Sequence, residues 1–287
     1  CLSIMTGWGA NGVDVFFVLS GFVILHSQLQ KKRSMLAFLK LRLIRIVPIY
    51  WFVTLVMVLA FSLLPSASFN SNAPSTGWLI QSMFFLSSAI SGKEPVLAVG
   101  WTLEWEMLFY LVFGSSLLFS HWSKSYFFIF LVLGFIAIMT SNLIIFEFLA
   151  GMLIAYIYNN FHLEQKHGLF LAAVGFVLLL SSINQVVDPR LSRAIYWGVP
   201  SALVVLGVIY AKPYSQSLLK YLGDASYSIY LIHMLTVAAF YKASTSLSIT
   251  ANYDVLAMLC LLSSIFCGAL LYTLVEKPLT SYLRSIF

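Results

Sequence analysis

The chain alternates between long apolar runs and shorter polar segments. Several runs approach the length of about 20 residues that an α-helix needs to cross a bilayer. The pattern predicts nine membrane-spanning helices, at about residues 12–28, 46–65, 100–119, 125–141, 143–161, 168–183, 196–211, 223–241 and 254–275. Residues 66–100 form a polar connection rich in Ser, Pro and Asn. The apolar stretch 78–90 within it is too short to span comfortably, so we interpret it as re-entrant, interfacial or packed against the bundle.

The composition supports a membrane protein. Hydrophobic residues make up 61% of the 287-residue chain and charged residues only 9%, whereas a soluble domain carries about 25% charged residues. Backbone polar groups in lipid must be satisfied within the protein, which favours helices, and the runs lack the alternation typical of outer-membrane barrels. We see no internal repeat and no linker between folded domains. We therefore predict a single all-α domain over residues 1–287, a polytopic transmembrane helical bundle in the lipid bilayer.

The net charge of +6 is better explained by membrane orientation than by nucleic-acid binding, because the basic residues lie between apolar runs. If the nine spans alternate, twelve of the 16 Lys and Arg residues fall on the side that holds segment 31–45, and four fall on the other side. The positive-inside rule places the richer side in the cytoplasm. The first residue of the chain is then expected outside.

The three cysteines predict neither a disulfide within a helix nor a metal site. Cys260 and Cys267 lie on one predicted helix with a rise of about 10.5 Å between them, which is too far for a disulfide. The sequence has no metal-ligand spacing, and we predict no metal and no bound cofactor.

The segment from Gly12 to Ile24 is apolar apart from Asp14 and the small pair Ser20-Gly21. A carboxylate at membrane depth costs about 2.5–3.5 kcal/mol on insertion scales, so it normally faces the protein interior or a watery cavity. Ser and Gly allow a second helix to approach closely. The pattern indicates a helix that packs against other helices and lines the protein interior or a cavity, and not a plain lipid-facing anchor. The alternative is an Asp at the membrane rim that serves as a helix N-cap.

Residues 12–22, Gly-Val-Asp-Val-Phe-Phe-Val-Leu-Ser-Gly-Phe, resemble the signature of the integral-membrane acyltransferase family 3, whose members O-acylate sugars. Residues 101–110 are similar to the exopolysaccharide acetyltransferase branch. The resemblance implies that an acyl group, most simply acetyl, moves from the co-substrate acyl-CoA in the cytoplasm to a hydroxyl of an exopolysaccharide, lipid-linked saccharide or other surface glycan. It also implies that Asp14 and Ser20 belong to the substrate-binding region.

Arg42 and Arg45 precede the second apolar run and share one helix face at a spacing of three residues. Two guanidinium groups at the cytoplasmic mouth suit the phosphates of acyl-CoA. The resembling family has an Arg pair at the corresponding place. The alternative is ordinary topology anchoring, which is the role that we assign to Lys31, Lys32 and Arg33.

Glu104 and Glu106 are two residues apart, about 200° around a helix, so they cannot both face one cavity. The family pattern Trp-Thr-Leu-x-x-Glu followed by Phe-Tyr selects Glu106, which shares a face with Tyr110 at i, i+4. The resemblance implies that Glu106 orients a histidine or holds the acceptor's hydroxyls, and that Tyr110 binds substrate. A carboxylate stabilised by a helix dipole is the structural alternative, and it fits Glu104 better.

Residues 223–233 resemble the Ser-Tyr-x-x-Tyr-x-x-His helix of the family. Ser226, Tyr230 and His233 fall on one stripe, which must face protein or water. Tyr230 is predicted to bind substrate and His233 to support proton transfer. The alternative for His233 is a core histidine hydrogen-bonded to a neighbour.

Two further carboxylates are interpreted as structural. Glu147 lies inside an apolar run on the same face as Gly151, which predicts close packing and one interhelical hydrogen bond. Glu276 precedes Lys277-Pro278 at the end of the last run, which resembles the closing motif of the family and predicts a helix terminus.

The resemblance implies ten core helices, with the main catalytic histidine on the first of them. The sequence begins at Cys1 without such a segment, so we expect a helix before Cys1 that is absent here. Two explanations stay open. Either the sequence is a fragment, or has a wrongly assigned start, of an active enzyme, or the chain is a degenerate relative without activity. In both, His233 has a supporting role.

The sequence therefore predicts a membrane O-acyltransferase in the cytoplasmic (inner) membrane of a bacterium. A transporter or scaffold for glycan export is the alternative, because polar residues inside spans also mark substrate pathways.

Overall fold

The structure is a computed structural model that describes residues 8–63, 74–119, 121–183, 192–211, 217–247 and 252–286. These residues contain no strand. Twelve α-helices follow one another in the described part of the chain: α1 (Gly12–Gln30), α2 (Met35–Leu63), α3 (Thr76–Met83), α4 (Ser87–Ser91), α5 (Gly100–Ser116), α6 (Trp122–Thr140), α7 (Phe146–Asn160), α8 (Gln165–Ser181), α9 (Val199–Ile209), α10 (Ser217–Ser246), α11 (Tyr253–Leu271) and α12 (Lys277–Ile286).

Short turns of other helical types extend these helices. The 3₁₀ turns Trp8–Asn11 and Leu143–Ile145 precede α1 and α7. The π-helical turns Ala194–Gly198 and Tyr272–Glu276 precede α9 and join α11 to α12.

Several helices have the length and composition of membrane spans. Four segments are long and apolar enough to cross a bilayer: Gly9–Gln30, Met35–Ala60, Leu143–Asn160 and Tyr253–Ile286. Shorter apolar helices cover Lys124–Thr140, Gln165–Ser181 and Ala194–Ile209. Each of the nine predicted runs coincides with a helix where the structure describes it. The prediction of an all-α, multi-pass membrane bundle is confirmed.

The predicted start of the second helix is wrong. α2 begins at Met35 and not near residue 46, and Pro48 lies inside the helix. The basic segment before residue 46 obscured this start, because its lysines and arginines break the apolar run without breaking the helix. Proline in a helix interior removes one backbone donor, which tertiary packing has to offset.

The stretch 78–90 does not form one helix. It contains the short helices α3 and α4, and α3 packs against α2 through polar contacts. The Trp51 indole N–H donates to the carbonyl oxygen of Met83 at 2.8 Å, and the Tyr50 hydroxyl lies 2.9 Å from Ser82 Oγ. Of the three interpretations of this stretch, these contacts fit packing against the bundle.

The chain folds into two compact units. The first contains the described residues of Cys1–Phe38 and Leu108–Tyr214, and the second those of Leu39–Met107 and Ser215–Phe287.

In the first unit, α1 and α7 touch through their glycines. A Cβ atom on Gly21 would collide with the backbone of Phe148, and one on Gly151 would collide with the backbone of Val18. The ring of Phe148 packs 4.6 Å from the ring of Phe17 on α1. Close helix approach at Gly21 and Gly151, as the sequence predicted, is confirmed.

In the second unit, α10 and α11 make the corresponding close contact. A Cβ atom on Gly268 of α11 would collide with Ile229 of α10. The contact lies one residue from Tyr230 and therefore fixes the helix that carries the Tyr230 and His233 side chains.

We expect Gly151→Ala to destabilise the first unit, because the added methyl group meets the backbone of α1. Overpacking a tight contact costs about 1–3 kcal/mol, so the melting temperature of the detergent-solubilised protein should fall. Gly134→Ala is the matched control, since a Cβ at that position on α6 meets nothing within 4 Å and alanine favours a helix. Equal melting temperatures for the two variants would contradict the α1–α7 contact.

Candidate functional site

A cluster of hydroxyl groups in the second unit joins the start of α5 to α10. The hydroxyl oxygens of Thr102 and Tyr230 lie 2.8 Å apart, and each lies 3.0 Å from the carbonyl oxygen of Val99. Thr102 is buried. The two sequence motifs around residues 101–110 and 223–233 therefore meet at these side chains.

Glu106 lies beside this cluster. Its carboxylate is close enough to Tyr230 to act electrostatically on the tyrosine hydroxyl. The side chain is 4% exposed, as expected for a carboxylate that faces the protein interior and not lipid. The structure thus brings the predicted residues Glu106 and Tyr230 together.

His233 lies one turn beyond Tyr230 and is half-buried. Its Nδ1 contacts the carbonyl oxygen of Tyr230, and the two rings are 5.7 Å apart. A carbonyl oxygen accepts only, so this contact places the imidazole proton on Nδ1 and leaves Nε2 as the acceptor nitrogen. This is the arrangement in which a histidine can take a proton from a hydroxyl group.

Glu104 has the structural role that the sequence favoured for it, although with a different helix. Its carboxylate accepts hydrogen bonds from the backbone N–H groups of Ser87 at 2.9 Å and of Ser88 at 3.2 Å. It therefore caps the N-terminus of α4, where a negative charge is stabilised by unpaired N–H groups.

The prediction that Ser226 shares one inward-facing stripe with Tyr230 and His233 is wrong. Ser226 is exposed. Ser228 is the buried serine of this helix, and its hydroxyl donates to Glu276 Oε2 at 2.6 Å. Glu276, interpreted from sequence as part of a helix terminus, is instead a buried carboxylate that faces α10.

Arg42 and Arg45 lie three residues apart on α2, as predicted, with Arg42 half-buried and Arg45 exposed. Their predicted binding of phosphates stays a prediction.

The first unit contains a buried ion pair between Asp14 of α1 and Arg193, which directly precedes the π-helical turn Ala194–Gly198. Arg193 donates from Nε to Asp14 Oδ1 at 3.0 Å and from Nη2 to Asp14 Oδ2 at 2.8 Å. Nη2 also donates to the carbonyl oxygen of Ala10, and the guanidinium lies 5.0 Å from the centre of the Trp197 ring. Asp14 is fully buried and Arg193 is 8% exposed.

Glu147 adds a second carboxylate to this cluster. It is 3% exposed and lies next to Asp14, and both its oxygens are buried without a hydrogen-bond donor in the described part of the chain. The absence of a side chain at Gly198 makes room for it, since a Cβ there would lie 3.0 Å from Glu147 Oε1. The interhelical hydrogen bond predicted for Glu147 requires a proton on one of the two carboxyl groups.

The two other predicted substrate-binding residues also lie in the first unit. Tyr110 is buried with its ring edge-on to Phe38 at 6.1 Å, and Ser20 is half-buried on α1. Their contacts with a substrate stay predictions.

Comparisons with known proteins identify the family. A profile described as an acyltransferase domain matches residues 2–274. This chain belongs to that acyltransferase family. The exopolysaccharide production protein ExoZ of Rhizobium meliloti (strain 1021) is 33% identical over 297 residues, which cover 94% of this chain and 89% of that protein. No solved structure matches significantly.

The sequence did not reveal the roles of two residues in these buried polar clusters. Arg193 was counted only as one of the four basic residues outside, and Glu276 only as a terminus. A partner for Asp14 was required by its burial, but at a sequence separation of 179 no local signal selects Arg193.

We expect the acyltransferase to lose stability when the buried pair is broken. Removing one partner of such a pair costs about 3–5 kcal/mol, because the other charge is left uncompensated. Asp14→Asn and Arg193→Gln should each lower the melting temperature strongly. The double variant should lower it by less than the sum of the two single decreases.

The exposed pair Lys166–Glu164 provides the control, since surface pairs contribute about 0–1 kcal/mol. Glu164→Gln should leave the melting temperature nearly unchanged. Additive losses in the Asp14 and Arg193 variants would show that the two side chains act independently, against the geometry.

Proposed function

We propose that this acyltransferase moves an acyl group, acetyl in the simplest case, from acyl-CoA to a hydroxyl group of an exopolysaccharide or related surface glycan. The similarity to an exopolysaccharide production protein supports the acceptor class. The observation that carries the proposal is the convergence of Glu106 and the Tyr230–His233 helix in the second unit.

The reaction needs a group that takes a proton. The acceptor's hydroxyl oxygen attacks the thioester carbonyl carbon, the carbon–sulfur bond breaks, and the hydroxyl proton ends on the thiol of CoA. Glu106 accepts a hydrogen bond from the acceptor hydroxyl or orients a histidine, and Tyr230 contributes its hydroxyl to substrate binding. His233 supports the proton transfer through Nε2.

Arg42 and Arg45 bind the phosphates of the acyl donor in this proposal. Guanidinium groups bind phosphate with charge-assisted, often bidentate hydrogen bonds. The charge distribution of the sequence supports a cytoplasmic position for both arginines, on the side where acyl-CoA is found, and we assign the protein to the cytoplasmic membrane of a bacterium.

We assign Ser20 and Tyr110 to the substrate-binding region, as the sequence predicted. Asp14 contributes to that region by fixing α1, because both its carboxylate oxygens accept hydrogen bonds from Arg193.

We expect Glu106→Gln to lower acyl transfer by about 10²-fold or more, the usual scale for an acid–base or substrate-orienting group. The measurement is the amount of base-labile acetyl ester on exopolysaccharide from cells that express the wild type or the variant at equal levels. Glu104→Gln is the matched control on the same helix and should retain most of the activity of the folded protein. Wild-type esterification by Glu106→Gln would refute its role.

Replacing both arginines should weaken donor binding. We expect Arg42→Gln with Arg45→Gln to raise the KM for acetyl-CoA by about tenfold or more, since each lost charged hydrogen bond is worth about 1.5–3 kcal/mol, with a smaller effect on kcat. The pair Lys31→Gln with Lys32→Gln removes the same charge from the neighbouring segment and should leave KM unchanged. Equal effects of the two double variants would mean that net charge alone attracts the donor.

A further inference from the structure

A groove in the second unit has no part in the transfer steps above. Its volume is about 530 Å³, and its walls come from α2, α10 and α11. Sites for small molecules have volumes of about 300–1,000 Å³, so the groove can hold a ligand or part of one.

The walls of the groove are mainly aliphatic. Side chains of this kind come from α2, with Val56 and Ala60, and from α10, with Ile232, Leu235 and Ala239. Such walls offer no hydrogen bonds to water or to a polar ligand, so burial of an apolar chain is the favourable way to fill the groove.

The hydroxyl of Thr236, another wall residue, is already engaged by the protein. It lies 2.9 Å from Ser264 Oγ on α11 and 2.9 Å from the carbonyl oxygen of His233. This part of the wall therefore adds no free polar group to the groove.

Polar side chains lie at one end of the groove. Lys242 and Ser246 line it near the C-terminus of α10. Lys242 forms no ion pair with any residue that the structure describes. The groove therefore ends at an unpaired ammonium group, which is complementary to an anionic group on the ligand.

The length of the groove matches one leaflet of a bilayer. The helix rises by about 15 Å from Ile232 to Lys242, at about 1.5 Å per residue. The hydrocarbon core of a bilayer is about 30 Å thick, so each leaflet contributes about 15 Å. The charge distribution of the sequence predicts Lys242 on the outer side of the membrane. The aliphatic part of the groove then extends from the outer headgroup level to the middle of the bilayer.

We propose that this groove binds one acyl chain of an anionic phospholipid of the outer leaflet, with the lipid phosphate paired to Lys242. A membrane lipid is favoured over a soluble ligand because the walls are aliphatic and have the length of a leaflet. An anionic headgroup is favoured over a zwitterionic one, because a zwitterionic headgroup brings its own cation close to the ammonium group of Lys242.

The bound chain supports the helix that carries His233. Ile232 and Thr236, which lie on either side of His233 along α10, both contribute to the wall. The lipid therefore packs against this segment of α10 and stabilises the second unit. Lipid binding and stability are measured without acyl transfer, so the inference can be tested separately from the proposed function.

The experiment measures lipid binding to the delipidated full chain in detergent, by native mass spectrometry and by the melting temperature. The probes are phosphatidylglycerol and phosphatidylcholine. The wild type should bind one phosphatidylglycerol about fivefold more tightly than phosphatidylcholine, the factor that corresponds to the attraction of one basic residue near a membrane surface. Lys242→Gln should remove this preference. Lys220→Gln removes the same charge at the other end of α10 and should retain it.

A second variant tests the groove itself. Ala239→Leu places a larger aliphatic side chain in the groove and should abolish the binding of both lipids, because the acyl chain loses its space. Ala239 is exposed and leucine is a good helix former, so the variant should fold. Ala173→Leu, at an exposed alanine of α8, is the matched control and should bind both lipids as the wild type does.

Three results would overturn the proposal. The first is equal affinity of the wild type for the two phospholipids, and the second is unchanged binding by Ala239→Leu. The third is tighter binding of a polyprenyl phosphate than of phosphatidylglycerol, which would assign the groove to a lipid-linked saccharide. Inorganic phosphate tests the headgroup alone and should leave the melting temperature unchanged. An increase that Lys242→Gln removes would instead show a site for free anions.

Discussion

Every polar group buried in an apolar protein needs a partner inside that protein, and this constraint shapes both units. In the first unit, the bidentate pair of Asp14 and Arg193 joins helix α1 to the chain before α9. In the second, the hydroxyls of Tyr230 and Ser228 serve the same purpose for α5 and for the π-helical turn. Apolar packing has no preferred direction, so these pairings, together with the glycine contacts, set which helix faces meet.

Glu147 shows how strict the constraint is. The first-unit cluster contains two carboxyl groups and one guanidinium, and Arg193 bonds both oxygens of Asp14. The Glu147 oxygens have no donor of their own in the described part of the chain, and a hydrogen bond between the two carboxyl groups is the pairing that this neighbourhood offers.

The sequence allowed the prediction of features that depend on local pattern. Apolar run length located the nine helices, and the glycines at positions 21 and 151 indicated close packing. It did not show pairings between distant segments, such as that of Arg193 with Asp14, because hydropathy carries no information about partners. It also misjudged the buried serine on α10, since Ser226 and Ser228 differ by about 200° around the helix and hydropathy does not fix its rotation. Glu276 was interpreted as a terminus because Pro278 follows closely, but the chain continues through a π-helical turn into α12, and no apolar pattern records such a turn.

In the proposed transfer, Glu106 and His233 have different parts, and their surroundings differ accordingly. Glu106 is buried beside the Tyr230 hydroxyl, a setting that fixes its position and limits its access to water. His233 is half-buried, and its Nδ1 contacts the Tyr230 carbonyl oxygen, so Nε2 is the nitrogen left to meet a hydroxyl group. Tyr230 links the helix that carries Glu106 to His233, because its hydroxyl lies 2.8 Å from the Thr102 hydroxyl on α5 and its carbonyl oxygen contacts the imidazole. A rotation of α10 would displace Tyr230 and His233 at the same time, the groups proposed to bind the hydroxyl and to support its proton transfer. The close contact of Gly268 with Ile229 therefore also fixes the proposed site.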